Sequence, residues 1–232
     1  MEWPVEAMPD RLRVPLFPLP NVVLFPGAVL PLHIFEPRYK RMTSDVLDGD
    51  GRIAMALLRP GWEPHYYGRP EIEPVVCVGR VVAHERLPDG NYNLLLQGQW
   101  RATVSEETVA GGDTPYRLAR AKPMAQTQVM EIDLARERER LVQLFDGRRF
   151  AANGLGKQFA RLLGSPMPTD NLADLLAFNY LDDLQLKQSL LAEGDTCARV
   201  AKIVAEMEKV ASAQPPAPPS PPSEEDPGAS LN

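Results

Sequence analysis

Two glycine patterns in the sequence could hold phosphate or a dinucleotide, and both lack an essential part. Residues 154–157 read GLGK, the end of a phosphate-binding loop. That loop needs a glycine five positions before its last glycine and Ser or Thr after the lysine, where this chain has Ala151 and Gln158. Residues 49–54 fit G-x-G-x-x-A but precede a predicted strand instead of following one. We therefore expect no nucleotide cofactor.

The patterns that could bind a metal or cut a peptide bond also stop short. His84 and Glu85 begin a zinc-protease motif that fails at Pro88, where the second histidine should stand. Asp48 begins a calcium-loop pattern that breaks at Arg52. The three histidines are scattered, and no serine lies in G-x-S-x-G. We expect no metal and no catalytic residue, and keep a hydrolase built from dispersed residues as a third alternative.

Glu36, Arg38 and Tyr39 are candidates for binding because they follow a predicted strand and open a predicted helix. They could line a rim that contacts a partner chain, where Arg and Tyr are favoured. The alternative is local. Glu36 would gain from the positive end of the helix dipole, and Tyr39 would pack in the core.

A second candidate is the aromatic loop, which holds Trp62, His65, Tyr66 and Tyr67 among Gly and Pro residues. Aromatic side chains on a loop are less easily explained as core, so binding and packing both stay open. For binding, we select Trp62, Tyr66 and Tyr67.

Three phenylalanines border a proline-rich loop near the N-terminus. We expect Phe17, Phe25 and Phe35 to be buried, although the Phe25 loop is also included in the candidate binding surface. Trp100 and Arg101 follow a turn, where the arginine could lie on the tryptophan or pair with an acid. We favour a structural role for both.

The first half of the chain carries the signals of β structure. An uncharged run of 22 residues, 14–35, is as long as a membrane helix, but its five prolines would break such a helix. Short apolar segments separated by Pro, Gly and Asn predict about seven strands and hence a barrel or sandwich. They cover residues 12–17, 29–34, 52–58, 75–87, 92–97, 100–105 and 116–122, and one helix begins at Pro37.

The second half changes to helical periodicity. Apolar residues recur at helical spacing through residues 134–145, 155–163, 172–176, 184–191 and 200–211, with possible caps at Thr169 or Asp170, Asp183 and Asp195. The tail is rich in proline and has almost nothing apolar to bury, which predicts disorder. We divide the chain into an extension (1–11), a β subdomain (12–124), a helical subdomain (125–211) and the tail (212–232).

Net charge and cysteine content limit the classes of partner and the cellular compartment that we expect. The net charge is −6, and no segment is net basic, which argues against DNA and disfavours RNA. The acidic N-terminus is not that of a signal peptide, so we expect a cytoplasmic protein without a membrane partner. The unpaired spacing of Cys77 and Cys197 predicts two reduced core thiols.

Three blocks of the sequence resemble the N-terminal, substrate-binding domain of the Lon protease family. They are residues 14–42, residues 76–104 with a Pro-Asp-Gly hairpin and the G-x-x-R segment at 98–101, and residues 172–203. The resemblance covers about residues 12–210. It implies an α+β fold, a PUA-like β barrel followed by a helical bundle.

The same resemblance implies recognition of unfolded or tagged polypeptides or of a protein partner. A full Lon chain continues into an ATPase and a protease with a Ser-Lys dyad, so we expect a stand-alone Lon-domain protein that is not an enzyme. The leading hypothesis is a polypeptide-binding adaptor or chaperone-like module that uses the aromatic loop and the Phe25 loop. The alternative is an RNA-binding module built on the barrel.

Overall fold

The described part of the first half of the chain forms six strands. The fold is that of a computed structural model, which describes residues 9–10, 12–108, 114–146, 150 and 154–213. The strands are β1 (Leu12–Leu19), β2 (Val29–Ile34), β3 (Arg52–Leu57), β4 (Val75–Arg86), β5 (Tyr92–Thr108) and β6 (Arg117–Pro123).

The sheet closes into a barrel because β5 is long enough to pair with β2 along its first part and with β6 along its last part. The strand order is β2-β5-β4-β3-β1-β6, and β5 also pairs with β6. The strands β5-β4-β3-β1-β6 therefore form a closed ring, and β2 adds an outer strand beside it.

The sequence predicted two strands where the structure has the single strand β5. Gly98, expected at a bend, lies inside the strand at an irregularity in its pairing with β4. A Cβ atom at Gly98 would lie within 3 Å of the backbone carbonyl of Phe25, so no other residue fits there. The predicted β2 boundaries are confirmed, as is the helix that begins at Pro37.

Two apolar clusters fill the molecule, one on each side of the barrel wall. The barrel interior is narrow and is filled by small and medium side chains, among them Ala54, Ala56, Ala102, Ala119 and Ala121. The outer cluster joins the barrel wall to the helices. Because β3 is buried on both faces beyond Arg52, its sequence is a nearly continuous apolar run.

The second half of the chain is helical, which confirms the expected α+β fold. Its helices are α2 (Ala135–Asp146), α3 (Gly154–Leu163), α4 (Thr169–Tyr180), α5 (Leu184–Leu191) and α6 (Thr196–Ala213), with a 3₁₀ turn at Glu131–Leu134. Among the strands of the first half lie the helix α1 (Pro37–Leu47) and a 3₁₀ turn at Glu63–His65. Within the described ranges, no helix combines the length and apolar character needed to cross a membrane.

The predicted helix caps are confirmed at two of three positions. Asp183 accepts hydrogen bonds from the backbone N–H groups of Gln185 and Leu186. Asp195 accepts one from Ala198. The expected cap at Thr169 or Asp170 is wrong, since Pro168 is the N-cap. Thr169 is buried instead and donates to the carboxylate of Glu131.

A buried ion cluster links the barrel to the helices. Arg101 of β5 donates to Asp174 of α4 at 2.6 Å, and Arg199 of α6 lies 3.5 Å from the same carboxylate. Their side chains are at most 3% exposed. Burial lowers the pKa of Arg199, and the nearby charge of Arg101 lowers it further. The structural role expected for Arg101 is confirmed, with an acid as its partner.

Two expectations about the core are wrong. Cys77 is buried, but Cys197 is exposed at the start of α6. Leu155, expected on the apolar face of its helix, is 36% exposed, whereas Phe159 and Leu163 are buried. The predicted disorder of the tail concerns residues that lie almost wholly outside the described part of the chain.

Candidate functional site

The aromatic loop closes one end of the barrel and presents one ring to solvent. Trp62 and Tyr66 are half-buried and pack against the interior cluster of the barrel. Their rings meet edge to face with centroids 5.5 Å apart, and Tyr67 lies 5.2 Å beyond Tyr66. Tyr67 is 88% exposed. Of the three aromatic residues selected from the sequence, Tyr67 is therefore fully accessible to a partner.

Glu36 and Arg38 hold this loop against the start of α1. The hydroxyl of Tyr66 donates to Glu36 Oε1 at 2.7 Å, and Arg38 Nε donates to Glu36 Oε2 at 3.1 Å. The guanidinium carbon of Arg38 lies 5.1 Å from the Tyr66 ring centroid. Burial raises the pKa of Tyr66, and the hydrogen bond to Glu36 raises it further. The structure thus brings three predicted site residues together, Glu36, Arg38 and Tyr66.

Phe25 and Tyr39 are not surface residues, and their assignment to the binding surface is wrong. Phe25 is fully buried in the outer core cluster, because the chain crosses closely over Gly98 at that point. Tyr39 is 4% exposed and packs its ring 4.4 Å from that of Phe17. Burial raises the pKa of Tyr39 to about 12. Tyr39 packs beneath Arg38, whose guanidinium carbon lies 4.6 Å from its ring centroid.

A larger apolar surface lies on the outer part of the sheet, where β2, β5 and β4 run side by side. Phe35, expected to be buried, is 60% exposed just after β2. Val29, Val82 and Leu95 are also exposed, each by 39% or more. Such a group of exposed large apolar side chains is typical of an interaction surface.

These strands form a shallow groove with a volume of about 450 Å³. It is lined by Pro31, Leu32, His33, Ala83, His84, Glu85, Asn93, Leu94 and Leu95. The Nδ1 atom of His33 lies 2.8 Å from Asn93 Oδ1, which fixes the imidazole at one side of the groove. The volume falls within the usual range of ligand sites, about 300–1,000 Å³.

The groove and the aromatic loop are joined by a chain of contacts. Tyr67 contacts Tyr66, whose hydroxyl donates a hydrogen bond to Glu36. The neighbouring residue Phe35 stacks on His33 with ring centroids 6.1 Å apart, and His33 lines the groove. We call this whole area the β2 surface.

The β2 surface can bind by apolar contact. Across the described residues, no group of three or more His, Cys, Asp or Glu side chains could hold a metal ion. The arginines near the aromatic loop are paired with carboxylates. Arg59 lies 3.5 Å from Glu71, Arg69 lies 3.4 Å from Glu107, and Arg117 also bonds to Glu107.

The groove residues were missed from the sequence, although one signal was available. In β2 the half-buried Leu30 and Leu32 and the buried Ile34 alternate with three residues that face solvent, Val29, Pro31 and His33. This alternation could have identified the exposed face. Val82 gave no such signal, because it lies at an irregularity in the pairing of β4 with β5.

A closed barrel joined to a helical half defines the class of fold, and solved structures share that fold. The N-terminal domain of Mycobacterium avium complex Lon protease superposes with a TM-score of 0.65 and 15% identity, over 85% of this chain and 98% of that one. A Lon N-terminal domain protein from Xanthomonas campestris gives a TM-score of 0.59 and 20% identity, over 84% and 98% of the two chains.

Residues 13–209 match the family described as the ATP-dependent protease La (LON) substrate-binding domain, and the chain belongs to that family. Lon protease 2 of Sorangium cellulosum is 29% identical over 207 residues, which cover 85% of this chain and 24% of that protein. Lon protease of Escherichia coli is 27% identical over 205 residues, covering 86% and 25% of the two. The chain thus spans about a quarter of the length of these relatives.

Proposed function

We propose that this protein binds polypeptides without catalysing a reaction on them, through the β2 surface. The observation that carries the proposal is the exposure of Phe35, Tyr67 and Leu95 along that surface. Its family is described as a substrate-binding domain, and relatives are named as proteases, whose substrates are polypeptides. The role is that of an adaptor or chaperone-like module.

Apolar burial supplies the affinity in this proposal. Fully burying a Leu or Phe side chain contributes about 1.5–3 kcal/mol. Unfolded chains expose such side chains, while folded proteins bury most of them. A surface that offers several partly exposed apolar groups therefore favours unfolded segments over folded proteins.

RNA binding receives less support. The arginines that surround the aromatic loop are neutralised by Glu36, Glu71 and Glu107. Affinity for phosphate depends on Lys and Arg charges that release counterions. The same surface is therefore better suited to apolar side chains than to a nucleic-acid backbone.

The proposal is tested with a permanently unfolded probe, such as reduced and carboxymethylated α-lactalbumin. The double variant Phe35→Ser, Leu95→Ser should bind this probe at least about tenfold more weakly, because each side chain contributes more than about 1 kcal/mol. Binding is measured by fluorescence anisotropy of the labelled probe.

Ile132→Ser is the matched control, since Ile132 is 73% exposed on the helical half and lies outside the β2 surface. Its affinity for the probe should stay unchanged. Equal affinity of the double variant and the unchanged protein would contradict the proposal, as would an equal loss in the control.

A further inference from the structure

The groove in the β2 surface is built of two adjacent rows of side chains that cross three strands. The register pairs Pro31 with Leu95 and Leu95 with Ala83, which makes an apolar row. It also pairs His33 with Asn93 and Asn93 with Glu85, which makes a polar row. Paired residues of neighbouring strands point to the same face, so both rows line the groove.

Charge is distributed unevenly across these rows. Glu85 is exposed and lines the groove, and it forms no ion pair or side-chain hydrogen bond with any residue in the described ranges. The row on the other side of the apolar row joins Val29, Gln97 and Arg80. None of these three residues lines the groove, so a ligand bound there meets the unpaired carboxylate of Glu85 beside the apolar row.

The spacing of the rows fits an extended chain. Successive residues on one face of a strand are about 7 Å apart, since each residue rises about 3.4 Å. A segment lying along the strands would thus place one side chain on the apolar row and the side chain two positions away on the polar row.

The free edge of β2 is poorly suited to pairing with that segment's backbone. Of the described strands, β2 has a neighbour on one side alone. Proline has no N–H, and within a sheet its nitrogen faces the open edge. Pro31, at the third of six positions, therefore removes a donor that strand addition would use.

We propose that the groove selects extended segments in which a large apolar residue stands two positions from a Lys or Arg. The apolar side chain lies on Pro31, Leu95 and Ala83, the cation pairs with Glu85, and the segment's backbone stays unpaired. This inference rests on the proposed function and names the segments that the β2 surface would prefer.

The test uses short labelled peptides that contain Leu-x-Lys, and their partners with Leu-x-Glu in the same frame. Binding to the full chain is measured by fluorescence anisotropy. The Lys peptide should bind about two- to fivefold more tightly, as expected for an exposed ion pair. Glu85→Lys should reverse this preference, while Glu139→Lys, an exposed site on the helical half, should leave it unchanged.

A third peptide, N-methylated on the backbone between Leu and Lys, tests the unpaired backbone and should bind within about twofold of its parent. The inference is overturned if the Glu85→Lys variant keeps the original preference, or if N-methylation weakens binding tenfold or more. In both cases the peptides still bind, and the proposed function stands. Absence of binding by every peptide and by the unfolded probe would overturn both.

Discussion

Replacing Asp174 by Asn should strongly destabilise the fold, because Asp174 is the anion shared by Arg101 and Arg199 between barrel and helices. The change keeps the shape of the side chain and removes its charge. Two guanidinium groups, each at most 2% exposed, would then stay buried without the carboxylate that they share. Breaking a buried ion pair in this way costs about 3–5 kcal/mol. That is a large part of the usual total of about 5–15 kcal/mol.

Urea unfolding followed by far-ultraviolet circular dichroism measures this loss. With a slope of about 1–3 kcal/mol per molar urea, the midpoint should fall by more than about 1 M. Glu208→Gln is the comparison, because Glu208 pairs with Arg140 at 2.7 Å on the surface, where the side chains are 41% and 32% exposed. The free energy of unfolding of that variant should fall by less than about 1 kcal/mol.

Equal losses of unfolding free energy in the two variants would contradict this prediction. A loss below about 1 kcal/mol for Asp174→Asn would mean that Arg101 and Arg199 find other partners. Arg101 Nε already donates to the carbonyl of Leu191, and Arg199 Nη1 to that of Glu193. The measured difference therefore isolates the contribution of the shared carboxylate.

Two further predictions concern the core. Gly98→Ala should leave little folded protein, because the new Cβ would clash with the backbone carbonyl of Phe25. Native circular dichroism and ordinary solubility of this variant would disprove it. Stability should also fall as pH rises above about 9, because burial raises the pKa of Cys77 from 9.0 to about 12. The unfolded chain releases this proton first and gains stability relative to the folded state. In Cys77→Ala the fall above pH 9 should be smaller, because the pKa of Cys197 is still raised and those of Tyr39 and Tyr116 are raised to about 12. Urea midpoints measured between pH 7 and 11 test this, and an identical pH profile for both proteins would contradict it.

Much of the fold could be predicted from the sequence because its signals are local. The prolines and glycines around β2 and the turn after β4 separate strands whose boundaries the structure places within a few residues. The helical half follows from apolar spacing and from the caps at Asp183 and Asp195. Joining the two predicted segments into the single strand β5 required the pairing of Gly98 with Gly79 across the sheet.

The site was less predictable because exposure depends on what packs above each residue. Phe25 and Phe35 have the same side chain, and each is followed by a proline, Pro26 directly and Pro37 after one intervening residue. One is fully buried and the other is 60% exposed. Trp62 and Tyr67 likewise share one loop, yet the first packs against the barrel end and the second faces solvent.

The sequence was sufficient to predict a β half followed by a helical half and to exclude a membrane helix, because five prolines interrupt the apolar run. It was also sufficient to show the resemblance to the Lon substrate-binding domain. Those properties depend on neighbouring residues and their spacing. The tertiary structure alone decided that β5 closes a barrel, that Asp174 is shared by two arginines from distant elements, and that Pro31, Leu95 and Glu85 line one groove. These depend on strand register and packing, which bring together residues far apart in the chain.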